Sequence, residues 1–551
     1  MANEKQIKMK KTLFVIITVM AFTTGFSQPD KKRADRSLKN CKTIELPENV
    51  YYLSMHGAIS DAEIGMNSVT FGTDNTSVIQ SVFNKAKTSP ITVYWDGKYS
   101  VTGLKIYSNT TIIANAGCGA ILRNHSDNSI FVNSSQSFGS KKDSNIVISG
   151  GIWNGNYYNS QIPRGAQSKG NRINGLVACF RFYGVDNLIV RDAILYKPAT
   201  YALAAANVTH VLYENIIVDV GPDPLINNDG LHIDGNSQYG VIRHCILNTH
   251  DDGIGLNADD LYLNWYDKKD NSSEKSFYSE ACAGPISDIL IDDITFNSSL
   301  FGIRILSGNS RVDRITIRNI KGYTKGYAVV VDNYQHDPQL LTWAGSGNIG
   351  TLNIEDFDVA IHPGKENMPN ESCINVCTNV EQLILKNIKR KFFAAGEPTV
   401  YIRGKNTVIG SLEIDGYYSI DTTKQSKIDH ILVEGASVNQ LSIANVSIRR
   451  TQNNIENNSV LLKTRNNCCV NTLQFNRINI DGIASLISNT SGKLNIINAS
   501  NIIHTNAFGH FPFFLNNDKS EVSALTISNF YGSDLIDGGT SKIIRKKGDA
   551  F

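Results

Sequence analysis

Two short segments of this chain each place an acid and a glycine directly before an alternating apolar strand. Asp229 and Gly230 precede Leu-His-Ile, and Asp252 and Gly253 precede Ile-Gly-Leu in the stretch "NNDGLHIDGNSQYGVIRHCILNTHDDGIGLN". An Asp-Gly step is typical of a turn, because both residues tolerate turn backbone conformations. The second copy carries a further acid, Asp251. A turn gains nothing from three crowded, mutually repelling carboxylates, so the repeat indicates chemistry.

Closely placed carboxyl groups are the usual means of cleaving glycosidic bonds. One carboxyl stays protonated to assist the leaving oxygen, while another stays ionised to activate water or attack carbon. Crowded acids push their pKa values apart, which supports this division of labour. Asp229, Asp251 and Asp252 are therefore candidate catalytic residues for glycoside hydrolysis. The sequence does not give the separation of the carboxyl groups, so it leaves both inversion and retention open.

A sequence repeat predicts the fold that must position these acids. Each unit reads as a short alternating strand, a polar turn containing Asn or Asp, and another short strand. Stacked in parallel at ~4.8 Å, such units place like residues above like and share one core. The recurring leucines are Leu352, Leu383, Leu412, Leu441, Leu473, Leu494 and Leu525.

This pattern predicts an all-β protein, a right-handed parallel β-helix in which Leu231 stacks under Ile254, with Ile303 on the next rung. A β-propeller is the main alternative, but it needs about forty residues per blade and antiparallel hairpins. The asparagines within the repeats, such as Asn319 and Asn387, are predicted to form a structural turn ladder.

The chain divides into an export signal, a linker and one domain. Lysines precede the apolar run "LFVIITVMAF", which ends in "TTGFSQ", so residues 1–27 are predicted to be a cleaved signal peptide. Residues 28–41 form a linker, and 42–545 form the β-helix catalytic domain with its catalytic rungs at about 225–335. The segment "FGTDNTSVIQSVFNKAKTSP" is predicted to be an N-terminal capping helix that covers the open end of the solenoid.

Composition excludes several classes of function. The net charge is +2 and no basic stripe is present, so nucleic acid is not an expected partner. Nine cysteines are too few for a dense disulfide framework. The apolar run near the start is too short to span a bilayer. We expect a secreted or periplasmic monomer that acts on a polysaccharide or oligosaccharide, without a cofactor or a metal ion.

The acidic rungs resemble those of a known enzyme family. The combination "NND…HDDG", with "GGIWNGN" at 150–156 and the capping-helix segment, is similar to the glycoside hydrolase family 28 polygalacturonases and their pectate-lyase-like β-helix relatives. The resemblance implies that Asp251 is the general acid and that Asp229 and Asp252 hold and activate the attacking water. It also favours an inverting mechanism.

The chain departs from this family where the family recognises uronates. Phe301 stands where a polygalacturonase has a histidine, and Val329, Val330 and Val331 stand where it has Arg-Ile-Lys. Those basic residues normally bind the uronate carboxylate, so their replacement argues against plain polygalacturonate as the substrate.

Several polar and aromatic residues around the acids are candidates for substrate binding. Arg304 occupies an outward position, and an insertion at about 258–285 contributes aromatic side chains that could stack on a sugar. His232 and His250 flank the acids and could contact substrate or tune a carboxylate. The predicted substrate-binding residues are His232, His250, Asn257, Tyr262, Trp265 and Arg304.

Two other functions fit the same fold. The first is a polysaccharide lyase, in which Arg304 would act in β-elimination and Asp259 with Asp260 would bind calcium. The second is a non-catalytic glycan-binding β-helix whose acids only decorate the surface. Fold alone does not separate these alternatives.

Overall fold

The computed structural model describes most of the chain after the predicted signal peptide and linker. It covers residues 49–126, 128–135, 141–157, 177–222, 228–259, 283–333, 346–361, 372–390, 398–421, 428–450, 459–482, 484–505, 515–517, 521–532, 536–537 and 543–545. The signal peptide and the linker remain predictions, because both lie outside these ranges.

The described chain consists almost entirely of β-strands, with one α-helix and two 3₁₀ turns. The helix, α1, spans Thr76–Phe83, and the 3₁₀ turns span Leu53–His56 and Asn84–Lys87. The strands in chain order are β1 (Asn49–Tyr52), β2 (Ile91–Trp95), β3 (Lys98–Val101), β4 (Leu104–Ile106), β5 (Thr110–Ala114), β6 (Gly119–Leu122), β7 (Phe131–Asn133), β8 (Asp143–Ser149), β9 (Ile152–Asn154), β10 (Phe180–Tyr183), β11 (Val185–Arg191), β12 (Ile194–Tyr196), β13 (Leu203–Ala206), β14 (Thr209–Glu214), β15 (Ile217–Asp219), β16 (Leu231–Ile233), β17 (Ser237–Asn248), β18 (Asp252–Asn257), β19 (Ile286–Ser298), β20 (Phe301–Leu306), β21 (Val312–Thr324), β22 (Val329–Asp332), β23 (Ile349–Ile361), β24 (Ile374–Val376), β25 (Val380–Arg390), β26 (Val400–Arg403), β27 (Val408–Asp421), β28 (Asp429–Glu434), β29 (Ser437–Arg450), β30 (Ser459–Arg465), β31 (Cys469–Asp481), β32 (Ala484–Asn489), β33 (Lys493–Thr505), β34 (Leu515–Asn517), β35 (Glu521–Tyr531), β36 (Ile536–Asp537) and β37 (Ile543–Arg545).

These strands form two sheets in which neighbouring strands run parallel. One sheet has 15 strands and contains the short strands from β4 to β36, with β16, β18, β20 and β22 adjacent in that order. We call it the short-strand sheet. The other sheet has 22 strands and contains the long strands, such as β21 and β23. Each turn of the chain contributes to both sheets, so the protein is a right-handed parallel β-helix, as the sequence predicts.

The stacking predicted for the catalytic rungs is confirmed. Leu231 pairs with Ile254, and Ile254 pairs with Ile303, on three successive strands of the short-strand sheet. All three side chains are buried in one continuous apolar core that runs the length of the described solenoid. The seven cysteines in the described ranges are free thiols, so this core rather than cross-linking holds those rungs together.

The asparagine ladder is also confirmed, and its cause is a bend within each long strand. Asn319 has a φ of 57° and Asn387 a φ of 53°, the left-handed region that Asn tolerates better than most residues. Each side chain then bonds to the rung before it: Asn319 donates to Asp292 at 2.7 Å and Asn387 to Asp356 at 2.9 Å. The ladder thus satisfies the polar groups at the corner of the solenoid.

One repeat has a different register from the one that its sequence suggests. Leu473 pairs with Ile497, whereas Leu494 pairs with Val470. Both Leu494 and Ile497 are buried, so either could align with the leucine of the preceding repeat on hydrophobicity alone.

The capping helix is confirmed at the start of the solenoid. Helix α1 begins after Asn75 and buries Ile79, Val82 and Phe83 against the first rungs. The Asn75 side chain accepts a hydrogen bond from the backbone N–H of Ile59 at 2.7 Å, which ties the helix to the preceding loop. Within the described ranges, no helix has the length and hydrophobicity needed to cross a membrane.

Candidate active site

The two Asp-Gly steps occupy equivalent positions on adjacent rungs. Because Leu231 pairs with Ile254, Asp229 and Asp252 both lie two residues before a paired core residue. The backbone N–H of Gly230 donates to the carbonyl of Asp252 at 2.8 Å, which locks the two steps together. Both acids are almost fully buried, with 4% and 2% of their surface exposed. Parallel stacking therefore explains the spacing of the acids in the sequence.

The glycines of these steps are required by close packing of the backbone. A Cβ on Gly230 would lie 2.2 Å from the carbonyl oxygen of Gly253, and a Cβ on Gly253 would lie 2.7 Å from that of Gly302. None of these three glycines, Gly230, Gly253 and Gly302, has a positive φ. The rungs approach too closely here for a side chain, which explains the glycines but not the acids before them.

His232 lies between two carboxylates beneath the surface of the short-strand sheet. Its Nε2 is 3.0 Å from Asp229 Oδ2, and its Nδ1 is 3.2 Å from Asp234 Oδ1. Burial lowers the pKa of the imidazole, but the two carboxylates outweigh burial and raise the pKa to about 10. At neutral pH the ring is therefore an imidazolium.

The prediction that His232 contacts substrate directly is not supported, because none of its surface is exposed. The Tyr201 ring stacks on the imidazole, with ring centroids 4.1 Å apart and an interplanar angle of 16°. Gly255 supports the ring from the next rung, where a Cβ would lie 2.3 Å from His232 Cε1. His232 thus points away from the apolar core, as its position in the strand predicts, but neighbouring rungs cover it.

Asp252 is placed so that its carboxyl retains a proton more readily than an ordinary aspartate. Burial raises its pKa well above the usual range, and the charges of Asp229 and Asp251 raise it further. Arg304 and His232 oppose these effects without overcoming them. Asp251 itself is only partly buried. The three acids therefore belong to one electrostatic group whose members differ in exposure.

Two buried carboxylate oxygens of this group lack partners among the described residues. They are Asp229 Oδ1 and Asp252 Oδ1, and no group in the described ranges is aligned to hydrogen-bond them. Ligand atoms of Asp229, His232 and Asp252 lie within 4.8 Å of one another. Buried polar atoms normally have a partner, so the arrangement is suited to a water molecule or a substrate hydroxyl.

These three residues also offer a donor set for a divalent cation, because two carboxylates and an imidazole are common metal ligands. A histidine must be neutral to bind a metal. Here the flanking carboxylates favour the imidazolium, which opposes metal binding at His232.

Arg304 lies outward on β20, as predicted, but acidic neighbours already balance its charge. Its Nη2 is 3.1 Å from Asp332 Oδ2, and its Nη1 is 3.8 Å from Asp252 Oδ2. Val330 occupies the paired position on β22, so the next rung adds no cation at this column. Asp332 could not be found from the sequence, because it lies on a later rung with no motif around it.

The remaining predicted site residues have mixed outcomes. Asn257 is 6% exposed, and its Oδ1 has no aligned partner among the described residues. His250 is partly exposed just before the acid pair, and its backbone N–H donates to the Asn228 carbonyl at 3.2 Å. Tyr262 and Trp265 lie outside the described ranges, and their contribution stays a prediction.

An aromatic pair adjoins the acids. Phe301 pairs with Asp252 across β18 and β20, and it stacks on Tyr327 with ring centroids 5.3 Å apart. Phe301 is partly exposed. In sequence Phe301 stands out only as a departure from a family motif, and no motif marks Tyr327. The position of Tyr327 before Val329 could have indicated its contact with Phe301, because equivalent positions of successive rungs stack.

Fold and site together define a parallel β-helix protein with a buried acidic cluster on its short-strand sheet. No protein-family model matches the chain, and no curated protein sequence matches it. Solved structures of similar shape include the family 28 exopolygalacturonase of Yersinia enterocolitica, at 14% identity over 86% of this chain and 78% of that one, with a TM-score of 0.47. An exopolygalacturonase of Thermotoga maritima aligns at 14% identity over 76% of this chain and 93% of that one, with a TM-score of 0.43. The Streptococcus pneumoniae surface adhesin PfbA aligns at 12% identity over 86% of this chain and 92% of that one, with a TM-score of 0.37. Similarity at this level concerns the shape of the chain, so the chemistry must be argued from the residues.

Proposed function

We propose that this protein is an exported glycoside hydrolase that cleaves a polysaccharide or oligosaccharide with Asp229, Asp251 and Asp252. The observation that carries the proposal is the pair of buried carboxylate oxygens, Asp229 Oδ1 and Asp252 Oδ1, that lack partners among the described residues in a cluster with His232. A cluster that served only to stabilise the turn would pair these atoms within the protein. A water molecule between the two carboxylates would satisfy them and would be held for attack.

The different surroundings of the acids suggest how they share the work. Asp229 and Asp252 carry the unpartnered oxygens and would orient the water between them. Asp251 is more exposed and would face the glycosidic oxygen as the general acid. The family resemblance assigns the same roles and supports inversion of configuration. Because the pKa of Asp252 is raised, this residue acts as a base only when the pH exceeds that pKa.

The groups beside the acids indicate how a sugar would be held. Phe301 is partly exposed beside Asp252 and is backed by the buried Tyr327, and aromatic faces pack well on the C–H faces of sugars. The charge of Arg304, the arginine on the rung next to Asp252, is balanced by Asp332. The sugar unit at the cleavage point is therefore expected to be uncharged.

A lyase fits these contacts less well. Arg304 is paired with Asp332, which holds its guanidinium in the charged form rather than freeing it to accept a proton. Asp259, proposed as a calcium ligand in that alternative, instead accepts hydrogen bonds from the backbone N–H groups of Asn309 and Ser310 at 2.8 and 2.6 Å. Asp260 lies outside the described ranges.

The proposal is tested by incubating the protein with a panel of polysaccharides and assaying both new reducing ends and ultraviolet absorbance. A hydrolase releases reducing ends without an unsaturated, absorbing product, and a chelator is expected to leave its rate unchanged. Absorbance that grows with the reducing ends would replace the hydrolase with a lyase. Binding to a glycan without any cleavage across the panel would support a non-catalytic protein.

A further inference from the structure

A second charged group lies further along the short-strand sheet, around Arg403 on β26. The outward positions of this sheet form a column in which Arg304, Val330, Asn375 and Tyr401 are in register on successive strands. Arg403 lies two residues after Tyr401, on the same face of the sheet. With strands ~4.8 Å apart, β26 lies about 19 Å along the solenoid from the Asp252 strand.

The contacts of Arg403 are all with uncharged groups. Its Nε donates to Asn375 Oδ1 at 2.9 Å, and its Nη2 donates to the Tyr327 hydroxyl at 3.3 Å. The guanidinium carbon also lies 5.3 Å from the centroid of the Tyr401 ring. These contacts fix the orientation of the guanidinium without neutralising it. Two of the partners, Asn375 and Tyr327, lie on rungs between Arg403 and the acids.

Two other arginines of this face form ion pairs. Arg304 pairs with Asp332 at 3.1 Å, and Arg465 pairs with Glu434 at 2.8 Å. Glu434 is in register with Arg403, yet its carboxylate is taken up by Arg465 and by the Tyr401 hydroxyl. Among the described residues, Arg403 therefore has no carboxylate within ion-pairing distance. A partly buried, oriented guanidinium that no described carboxylate contacts is suited to bind an oxyanion.

We propose that Arg403 forms an anion-binding subsite for a carboxylate or sulfate substituent of the glycan that is cleaved at the acid cluster. The inference rests on the proposed function and extends it. The substrate would carry an uncharged sugar at Asp229, Asp251 and Asp252, and an acidic sugar a few units away along the sheet. Asn375 and Tyr327 hold the guanidinium ready, so little ordering cost remains on binding.

The test measures binding rather than turnover, so it does not depend on the catalytic assignment. Asp251→Asn protein is run in native gels containing dextran, carboxymethyl-dextran or dextran sulfate, which share a backbone and differ in charge. The carboxymethyl and sulfate gels distinguish the two kinds of substituent. We expect at least one charged polymer to retard the protein more than dextran does, and Arg403→Gln to weaken that binding about tenfold or more.

Two variants separate this subsite from general attraction and from misfolding. Arg477 donates to the side chain of Asn445 on the other sheet, so Arg477→Gln removes an equal charge elsewhere and should leave retardation unchanged. Asn375→Asp keeps the shape of the subsite but gives Arg403 a counter-charge, and it should weaken binding as Arg403→Gln does. Thermal melts confirm that each variant folds.

Equal retardation of the parent and Arg403→Gln proteins would overturn the subsite, as would a parent protein that does not prefer either charged polymer. Reducing ends released by the wild type alongside such a result would leave the hydrolase standing and remove only the subsite. Arg403-dependent binding without cleavage of any glycan would leave the subsite standing and contradict the proposed hydrolase.

Discussion

His232 Nδ1 lies 3.2 Å from Asp234 Oδ1, and both side chains are buried beside Asp229 and Asp252. Asp234 directly follows the strand that carries His232 and lies outside the acid trio, so the sequence alone predicts that Asp234→Asn stays active and can serve as a control. The contact rules this out. Asp234 orients the imidazole from one side while Asp229 does so from the other, so its substitution should disturb the site.

The first prediction concerns the protonation of His232. Its pKa in the folded protein is about 10, against 6.5 for an ordinary histidine, so the folded protein binds an extra proton between these values. The resulting stabilisation is complete below about pH 6.5 and is lost as the pH rises towards 10. NMR of labelled histidine should show both ring nitrogens protonated at neutral pH, and Asp234→Asn should lower the pKa of the ring.

The matched control for this experiment is Asp192→Asn. Asp192 lies at a corner of the solenoid, where it accepts a hydrogen bond from Asn215 at 2.9 Å. Its side chain is half exposed. This substitution should leave the His232 resonances unchanged. A neutral His232 ring at neutral pH in the wild type would contradict the prediction.

The second prediction concerns Gly255, which lies against the imidazole. In Gly255→Ala the new methyl group would lie 2.3 Å from His232 Cε1, and the ring is held on its other face by Tyr201. Overpacking of this kind costs about 1–3 kcal/mol of unfolding free energy, and it should also shift the ring and reduce turnover. Denaturant unfolding measures the first effect and reducing-end release the second.

Gly65→Ala serves as the comparison, because its Cβ would meet only Ser68 Oγ at an ordinary contact distance of 3.5 Å. A Gly255→Ala protein as stable and as active as Gly65→Ala would show that the His232 ring is free to move.

The repeat predicted the fold because each rung must bury its own alternating residues, and Leu231, Ile254 and Ile303 could only stack in one way. It predicted the shared position of Asp229 and Asp252 for the same reason. The part played by Asp234 was within reach, since it follows His232 by two residues and so shares its face of the strand.

Other features depend on where loops return the chain to the sheet, which sequence periodicity does not specify. Arg304 and Asp332 are 28 residues apart in sequence, yet they form an ion pair on adjacent strands. Arg403 reaches Tyr327 from 76 residues away. Leu494 shows the same limit within the core, because two buried residues of one repeat fit the pattern equally well.

The third prediction concerns substrate charge. A uronate bound at the acids would face Asp229, Asp251 and Asp252, while the nearest arginine is already paired with Asp332. Polygalacturonate carries a carboxylate on every unit, so the repulsion should make its turnover negligible compared with that of a glycan whose cleaved unit is neutral. Reducing-end assays on both glycans provide the comparison. Rapid cleavage of polygalacturonate would show that some other cation serves the cleavage point.

The fourth prediction tests the acids themselves, on a glycan that the wild type cleaves. Positioned acids and bases typically contribute about 10²- to 10⁴-fold to rate, whereas a residue needed only for a turn affects stability and leaves the rate nearly intact. Asp251→Asn should therefore lose most of the turnover. Its thermal midpoint should stay unchanged or rise, because the substitution relieves repulsion with Asp252. Asp229→Asn and Asp252→Asn should lose turnover similarly, with Asp192→Asn as the active control.

The double variants decide whether the acids work as one unit. Asp229 and Asp252 bracket the same unpartnered site, so the loss of either should already release the attacking water. The Asp229→Asn, Asp252→Asn double variant should then be hardly slower than the worse of the two single variants, rather than slower by the product of their effects. Independent, multiplying losses would mean that the two carboxylates act at separate steps. Near-normal turnover in all three single variants would return both Asp-Gly steps to a structural role, set by the close stacking of Gly230 on Gly253.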